Sequence, residues 1–221
     1  MRIATWNVNS VNARLPTVLA WLEAARPDVV GFQEIKCLDE KFPREAFESL
    51  GYNVETNGQK TYNGVALLSK YPLSDVRRGL PGVDASGFEA EFEQARYIEA
   101  VIETPRPVRV GCLYLPNGNP IGTEKFAYKL AWMDRLQAHA RDLLRQEEAF
   151  TLCGDYNVIP TPDDAKNPAA WMAHYNLGRL LLDEGRDAEA MMCFEQTVAA
   201  NPQHALGYNN WGHLLKSQAE G

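Results

Sequence analysis

The spacing of apolar residues changes character partway along the chain, and that change limits what the chain can fold into. Up to about Pro162, short strand-like runs alternate with helical stretches. Three of those runs end in a polar cluster: Thr5-Trp6-Asn7-Val8-Asn9, Gly31-Phe32-Gln33-Glu34 and Gly154-Asp155-Tyr156-Asn157. Beyond about Ala170 the strand-like runs stop, and a helical pattern recurs with Gly178 and Gly212 standing 34 residues apart. One chain therefore carries two architectures.

In the first part, apolar residues predict strands over 3–8, 28–32, 52–56, 64–69, 97–103, 108–115 and 150–158. Leu15, Val18, Leu19 and Leu22 recur at helical spacing, so 11–25 is a helix that stops before Pro27. A second helix is expected over 43–50, closed by Gly51. A long one spans 124–147, with Phe126, Leu130, Met133, Leu136, Ala140 and Leu144 on its apolar stripe. The stretch 79–87 reads as loop, and 160–168, rich in Pro and Asp, reads as a turn or linker. Strands mixed with a few helices argue an α/β layer structure.

Composition narrows the class. The 221 residues are 45% hydrophobic, enough for a real core, and carry a net charge of −7, which gives no global attraction to nucleic acid. That charge weighs little against local cationic patches or bound divalent ions. The four cysteines, Cys37, Cys112, Cys153 and Cys193, form no CxxC pair, so free buried thiols in a reducing cytosol are expected. There is no signal-peptide pattern and no apolar run of about 18 residues. A cytoplasmic protein away from the membrane is the expectation.

Side chains alternate along a strand, which would place Asn7 with Asn9, and Asp155 with Asn157, on common faces. Glu34 falls where the second strand runs out. Sheets of α/β type gather ligands at strand ends, so these groups are expected to meet in one crevice. Hard oxygen ligands with few carboxylates suit Mg²⁺, with waters completing the shell. Glu34 with Asn7 would hold the cation, and Asp155 with Asn157 would activate or align a water, which is what phosphodiester cleavage requires.

These segments resemble the exonuclease III family of DNA-repair phosphodiesterases from Met1 to about Trp171. The resemblance rests on Thr5-Trp6-Asn7-Val8-Asn9-Ser10, Gln33-Glu34-Ile35-Lys36, Gly58-Gln59-Lys60-Thr61-Tyr62-Asn63-Gly64-Val65-Ala66, Leu113-Tyr114-Leu115-Pro116-Asn117-Gly118 and Gly154-Asp155-Tyr156-Asn157. It implies a four-layer α/β sandwich, of which residues 1–162 would be the first half: a mixed sheet with helices. It also implies AP-endonuclease and 3′-exonuclease activity on duplex DNA with an abasic site or a 3′ end, dependent on Mg²⁺ or Mn²⁺. By matching positions, Asn7 and Glu34 would sit at the metal and Tyr114 at the scissile phosphate. Asp155 and Asn157 would position the nucleophile or leaving group, and Asn9 and Asn117 would contact nucleic acid.

The chain departs from that pattern in one respect. The family's second half should add an acidic residue and a closing Asp-His pair, whereas no Asp-His dipeptide occurs here. The histidines are His139, expected on the solvated side of the long helix, and His174, His204 and His213 beyond the seam. Impaired catalysis is the expectation. The inner face of a lone first sheet would also need cover, for which the helical tail is the available material.

After a linker at 163–169, residues 170–221 resemble a tetratricopeptide repeat. Leu177-Gly178, Ala190, Phe194 and Pro202 occupy signature positions and Trp211-Gly212 returns in phase, which makes about one and a half repeats. Helices are expected over 170–183, 187–200 and 205–219, with Phe194 and Leu177 filling the gap between them. Thr197 replaces a small residue there. Two functional readings follow: an exonuclease III-like DNA phosphodiesterase of reduced competence, or a non-catalytic scaffold (or mosaic chain) that meets a protein partner through the helical tail.

Overall fold

Val29-Val30-Gly31-Phe32-Gln33 is buried at every position, as an apolar run covered on both faces must be. A computed structural model, describing residues 1–82, 94–118, 123–158, 168–200 and 205–219, shows what covers it. The run is strand β2 (Val29–Gln33), inside a four-stranded sheet with β1 (Ile3–Asn7), β3 (Asn53–Asn57) and β4 (Val65–Ser69) in the order β1-β2-β4-β3. β1 pairs parallel to β2, and β4 runs antiparallel to both β2 and β3. A second four-stranded sheet holds β5 (Leu73–Arg78), β6 (Tyr97–Ile102), β7 (Val108–Tyr114) and β8 (Phe150–Asp155) in chain order. Its first three strands are antiparallel, and β7 pairs parallel to β8.

Alternation assigns each face its neighbours. Val30, Phe32, Ala66 and Leu68 point outward against Val18 and Leu22 of α1 (Leu15–Ala25) and Phe47 of α2 (Arg44–Glu48). Val29, Val65 and Leu67 point inward and meet Ile98, Ala100, Ile102, Val110 and Cys112 of the second sheet. That sheet's outer face presents Tyr97, Leu113 and Leu115 to Trp132, Tyr128 and Leu136 of α3 (Glu124–Arg145). The order is helix, sheet, sheet, helix. Both sheets are present, so the expectation of a single sheet with an uncovered inner face is corrected: each sheet covers the other.

Two further expectations give way on α3. Leu130, Met133 and Leu144, assigned to its apolar stripe, are 47%, 38% and 66% exposed, while Trp132, His139 and Leu143 are buried. The helix turns its aromatic side inward because a polar group waits there. Glu99, in the middle of β6, is fully buried and accepts from Tyr97 Oη at 2.7 Å. It also lies 2.7 Å from His139 Nε2, accepts from Arg109 Nη1 at 3.2 Å, and pairs with Arg77 Nη1 at 3.3 Å. A buried carboxylate is tolerated only with such partners. His139 is therefore an interior residue and not the solvated one expected.

β5 had no counterpart among the predicted strands, since Leu73 and Val76 are its only apolar side chains. It is an edge strand, held by pairing to β6 and by Arg77 and Arg78, which reach Glu99 and Glu55.

Three helices make up the last part of the chain: α4 (Pro168–Asp183), α5 (Asp187–Ala200) and α6 (Ala205–Ala219). Gly178 lies against Phe194, whose ring would stand 2.8 Å from any Cβ at that position. Leu181, Ala190, Cys193, Phe194 and Leu214 form a separate core. Leu177 does not fill the gap; it is 48% exposed. Thr197 is buried with its polar atom satisfied, the hydroxyl donating to the Cys193 carbonyl at 2.8 Å. The chain divides into two compact units, Met1–Pro116 with Tyr128–Asn157, and Asn117–Ala127 with Val158–Gly221. Of the expected linker at 163–169, residues 168 and 169 already belong to α4, while 163–167 lie outside the described residues, as does 83–87 of the expected loop. Among the described residues no helix is long and apolar enough to cross a membrane. All four cysteines are free; Cys37, Cys112 and Cys193 are buried and Cys153 is half-buried.

Candidate functional site

Each sheet of the first unit contains one parallel strand pair joined by a helix: β1-α1-β2 in one, β7-α3-β8 in the other. In such a pair both carboxyl ends fall on the same side, where ligands gather. β1 packs on β8 and β2 on β7. Four strand ends converge as a result, carrying Asn7, Glu34, Tyr114 and Asp155.

The convergence is hydrogen-bonded. Asn7 Nδ2 donates to Glu34 Oε1 at 2.8 Å and to Asp155 Oδ2 at 2.9 Å, so one neutral amide joins two carboxylates from different sheets. Tyr114 Oη donates to the same Glu34 Oε1 at 2.9 Å. Glu34 Oε2 faces Lys36 Nζ at 2.8 Å.

Turn geometry, and not strand alternation, places the asparagines that follow. Asn9 and Asn157 both lie past the ends of their strands with φ of 43° and 47°, a region asparagine tolerates better than most residues. Asn9 donates its backbone N–H to Asn7 Oδ1 at 3.1 Å and accepts from Lys36 through its own Oδ1. Asn157 donates its N–H to Asp155 Oδ1 at 2.9 Å and its side-chain amide to the Leu115 carbonyl at 2.7 Å. The expected sharing of faces is thus replaced by two side chain-to-backbone turns. Asn117 falls in the second compact unit and is exposed.

Glu34 itself has φ of 54°, unfavourable for a glutamate by about 1 kcal/mol or more. The surrounding ladder holds it there: Ser10 N–H donates to the Glu34 carbonyl at 2.7 Å and Ile35 N–H to the Gly64 carbonyl at 3.1 Å. Gly154 plays a comparable part on β8. Its φ is 151°, and a Cβ would stand 2.0 Å from the Leu113 carbonyl oxygen. The rung Leu113–Gly154, immediately before Tyr114–Asp155, closes only because that side chain is absent.

Three cations near the cluster went unassigned in the sequence: Lys36, Arg96 and Lys129. Arg96 lies over the Tyr114 ring, 4.7 Å from its centroid, and its Nη1 donates to the Tyr114 carbonyl at 3.2 Å. Lys129 donates to the Asn157 carbonyl at 2.8 Å. Lys36 carried a signal, since it stands two residues after Glu34; Arg96 and Lys129 meet the site only through the fold.

Electrostatics follows from these contacts. Burial opposes ionisation of Glu34, yet hydrogen bonds from Asn7, Lys36 and Tyr114, with the Lys36 charge, outweigh it and hold the carboxyl below the usual range. Burial pushes the Tyr114 phenol up to about 12, helped by its bond to Glu34 and the charges of Glu34 and Asp155, against Arg96. Burial lowers Lys129, with Asp155 opposing.

Among the described residues no group of three or more His, Cys, Asp or Glu could enclose a metal ion. Two carboxylates bridged by an amide nevertheless fit a hard divalent cation that retains several waters, because such an ion needs only one or two carboxylates. Glu34 Oε2 already faces a cationic group, the ammonium of Lys36.

The sequence matches the endonuclease/exonuclease/phosphatase family over residues 4–213. It is 36% identical over 170 residues to the exodeoxyribonuclease III of Haemophilus influenzae, covering 74% of this chain and 60% of that protein. Among solved structures it resembles a 3′-5′ exonuclease from Neisseria meningitidis at 38% identity and a TM-score of 0.69, over 77% of this chain and 63% of that one. An AP endonuclease from Archaeoglobus fulgidus matches at 36% identity and a TM-score of 0.65, over 76% and 63%. The chain thus spans about 60% of the length of the relatives it matches. With the family match running through both compact units and the polar strand ends meeting at one place, the chain belongs to the endonuclease/exonuclease/phosphatase family.

Proposed function

We propose that the first unit carries exonuclease III-like phosphodiester chemistry on duplex DNA, acting at an abasic site or a 3′ end, and that turnover by these 221 residues is slow. The observation that carries the reading is the Asn7–Glu34–Asp155–Tyr114 cluster, in which four strand ends from two sheets join in one hydrogen-bonded group. The likeness to an exodeoxyribonuclease III, a 3′-5′ exonuclease and an AP endonuclease supports the substrate class.

In this reading Glu34 and Asn7 hold Mg²⁺ or Mn²⁺, which would supply Lewis-acid stabilisation of phosphate charge. Tyr114 donates toward the scissile phosphate. Asp155 orients the nucleophile, with Asn157 fixing its carboxylate through the backbone N–H, and Asn9 and Asn117 meet the DNA backbone. A further donor to the phosphate is wanting. The first unit's one histidine, His139, is held by Glu99 on the far face of the second sheet. Lack of one transition-state donor costs about 10²–10³-fold in rate.

The helical unit is read as one and a half tetratricopeptide-like repeats, supported by the 34-residue phase and the fit of Phe194 against Gly178. About three such repeats are needed to bury a continuous core, so it serves better as a contact surface for a protein partner than as a closed peptide groove.

The test is cleavage of an abasic duplex and of a recessed 3′ end in Mg²⁺, beside the Haemophilus enzyme and an Asp155→Asn variant. Slow cleavage that needs Asp155 is expected. Turnover matching the Haemophilus enzyme would overturn the impairment, and cleavage indifferent to Asp155→Asn would overturn the site. A Mn²⁺ titration with Glu34→Ala separates the scaffold reading: equal curves for both proteins remove the metal site.

A further inference from the structure

At the opposite end of β1 and β2 from Asn7 and Glu34, the chain builds a second polar feature. A cavity of about 780 Å³ opens beside the C-terminus of α1, within the size range of small-molecule sites. Arg2, Arg26 and Lys70 line it over a floor of Leu22, Leu50 and Tyr52. In a protein of net charge −7, three cations around one cavity stand out.

Part of the cluster is explained by α1 itself, whose last carbonyls attract positive charge. Arg2 Nη2 donates to the Arg26 carbonyl at 2.7 Å and Lys70 Nζ to the same oxygen at 2.8 Å. Two like charges are thereby drawn onto one atom. Asp28 answers them in part, accepting the Arg2 N–H at 2.7 Å and lying 3.7 Å from Lys70 Nζ. Capping leaves Arg26 unused: its backbone is left-handed, with φ of 49°, and its guanidinium has no partner among the described residues. Glu23, the other carboxylate at the rim, is exposed and makes no ion pair among the described residues.

We propose that this cavity is a binding site for a small phosphate monoester with an apolar body. The guanidinium of Arg26 meets the phosphate with paired N–H groups, and the remaining N–H groups of Arg2 and Lys70 complete its coordination. The floor explains the body: Leu22, Leu50 and Tyr52 line it, the Tyr52 hydroxyl is given to the Pro27 carbonyl at 2.7 Å, and the Lys70 ammonium stands 5.8 Å from the Tyr52 ring centroid. The site is separate from the catalytic cluster. Arg2 and Asn7 bracket β1, and five residues of strand at about 3.3 Å each put the two some 17 Å apart.

Calorimetric titration of the full chain with inorganic phosphate and with a nucleoside monophosphate tests this. The variants are Arg26→Gly, which suits the left-handed backbone and so spares the fold, and Lys70→Gln, which keeps a donor for the Arg26 carbonyl. Glu34→Gln controls for binding at the catalytic cluster. Monoester binding weakened about tenfold or more by both variants, unchanged by Glu34→Gln and tighter than for inorganic phosphate, is the expected result. Affinities untouched by Arg26→Gly and Lys70→Gln, or lost in Glu34→Gln, would overturn it. Equal affinity for bare phosphate would overturn the monoester assignment, and no heat at millimolar ligand would overturn the site.

Discussion

Tyr114 and Glu34 belong to different sheets, yet the phenol of one donates to the carboxylate of the other at 2.9 Å. The bond crosses the seam of the sandwich at the point where β2 and β7 both end. It fixes how the two sheets meet and, in the same contact, aims a donor and a carboxylate at one place.

Replacing Tyr114 with Phe removes that donor and leaves the packing of the ring under Arg96. Because the hydrogen bond favours ionised Glu34, its carboxyl should titrate higher in the variant than in the parent. Carboxyl-detected NMR reads the shift directly, and an unchanged titration would show the bond to be weak in solution. In cleavage of an abasic duplex the same variant should be slower than the parent by about 10²-fold.

Glu34 also makes stability depend on pH. Its folded-state carboxyl is depressed below the unfolded value, so its contribution is present above the ordinary glutamate range of about 4.3 and lost as pH falls through the folded value. Melting temperatures measured from neutral to acid pH should fall more steeply in the parent than in Glu34→Gln. Parallel curves would remove Glu34 from the acid transition.

Glu99 should matter more to folding than any residue of the Asn7–Glu34–Tyr114–Asp155 cluster. Glu99→Ala strips a buried partner from Arg109, His139 and Tyr97 at once, and breaking a buried pair costs about 3–5 kcal/mol. Urea unfolding should show the loss as a lower midpoint with unchanged slope. A midpoint within error of the parent would mean that water enters and satisfies the network.

Gly31 is a packing constraint with a designed rescue. A Cβ there would stand 2.8 Å from Cys112 Sγ across the two sheets, so Gly31→Ala should cost about 1–3 kcal/mol. Adding Cys112→Ala removes the obstructing sulfur and should recover part of the loss, less what Gln33 forfeits with its 3.1 Å contact to that sulfur. Additive penalties in the double variant would place the strain elsewhere.

Much of the architecture is legible in the amino-acid sequence. β2 and β4 are uninterrupted apolar runs, and such runs admit few placements other than the middle of a covered sheet. The three tail helices begin and end within two residues of their expected positions because Asp183-Glu184-Gly185-Arg186 and Asn201-Pro202 punctuate them. β5 was hidden because it is recruited by pairing and by arginine contacts and not by apolar content. The phase of α3 was misjudged for a related reason. Leu130 and Leu144 score as core residues, yet Trp132, His139 and Leu143 face the sheet, drawn by Tyr97 and Glu99. A glutamate inside Tyr97-Ile98-Glu99-Ala100-Val101-Ile102 was the available clue, since a charge in such a run demands partners. At the site, the identities of Asn7, Glu34, Tyr114 and Asp155 were legible, but the left-handed turns at Asn9 and Asn157 depend on contacts that no local pattern announces.

The absent side chain at Gly154 has a consequence for how this sequence can drift. Because the oxygen of Leu113 occupies the space where any other residue would begin, position 154 is closed to all nineteen alternatives, although glycine there brings no side chain of its own. A survey of random variants for lost activity would therefore flag Gly154 beside Asp155. The two would travel through descent as one inherited unit, a spacer and the group it places.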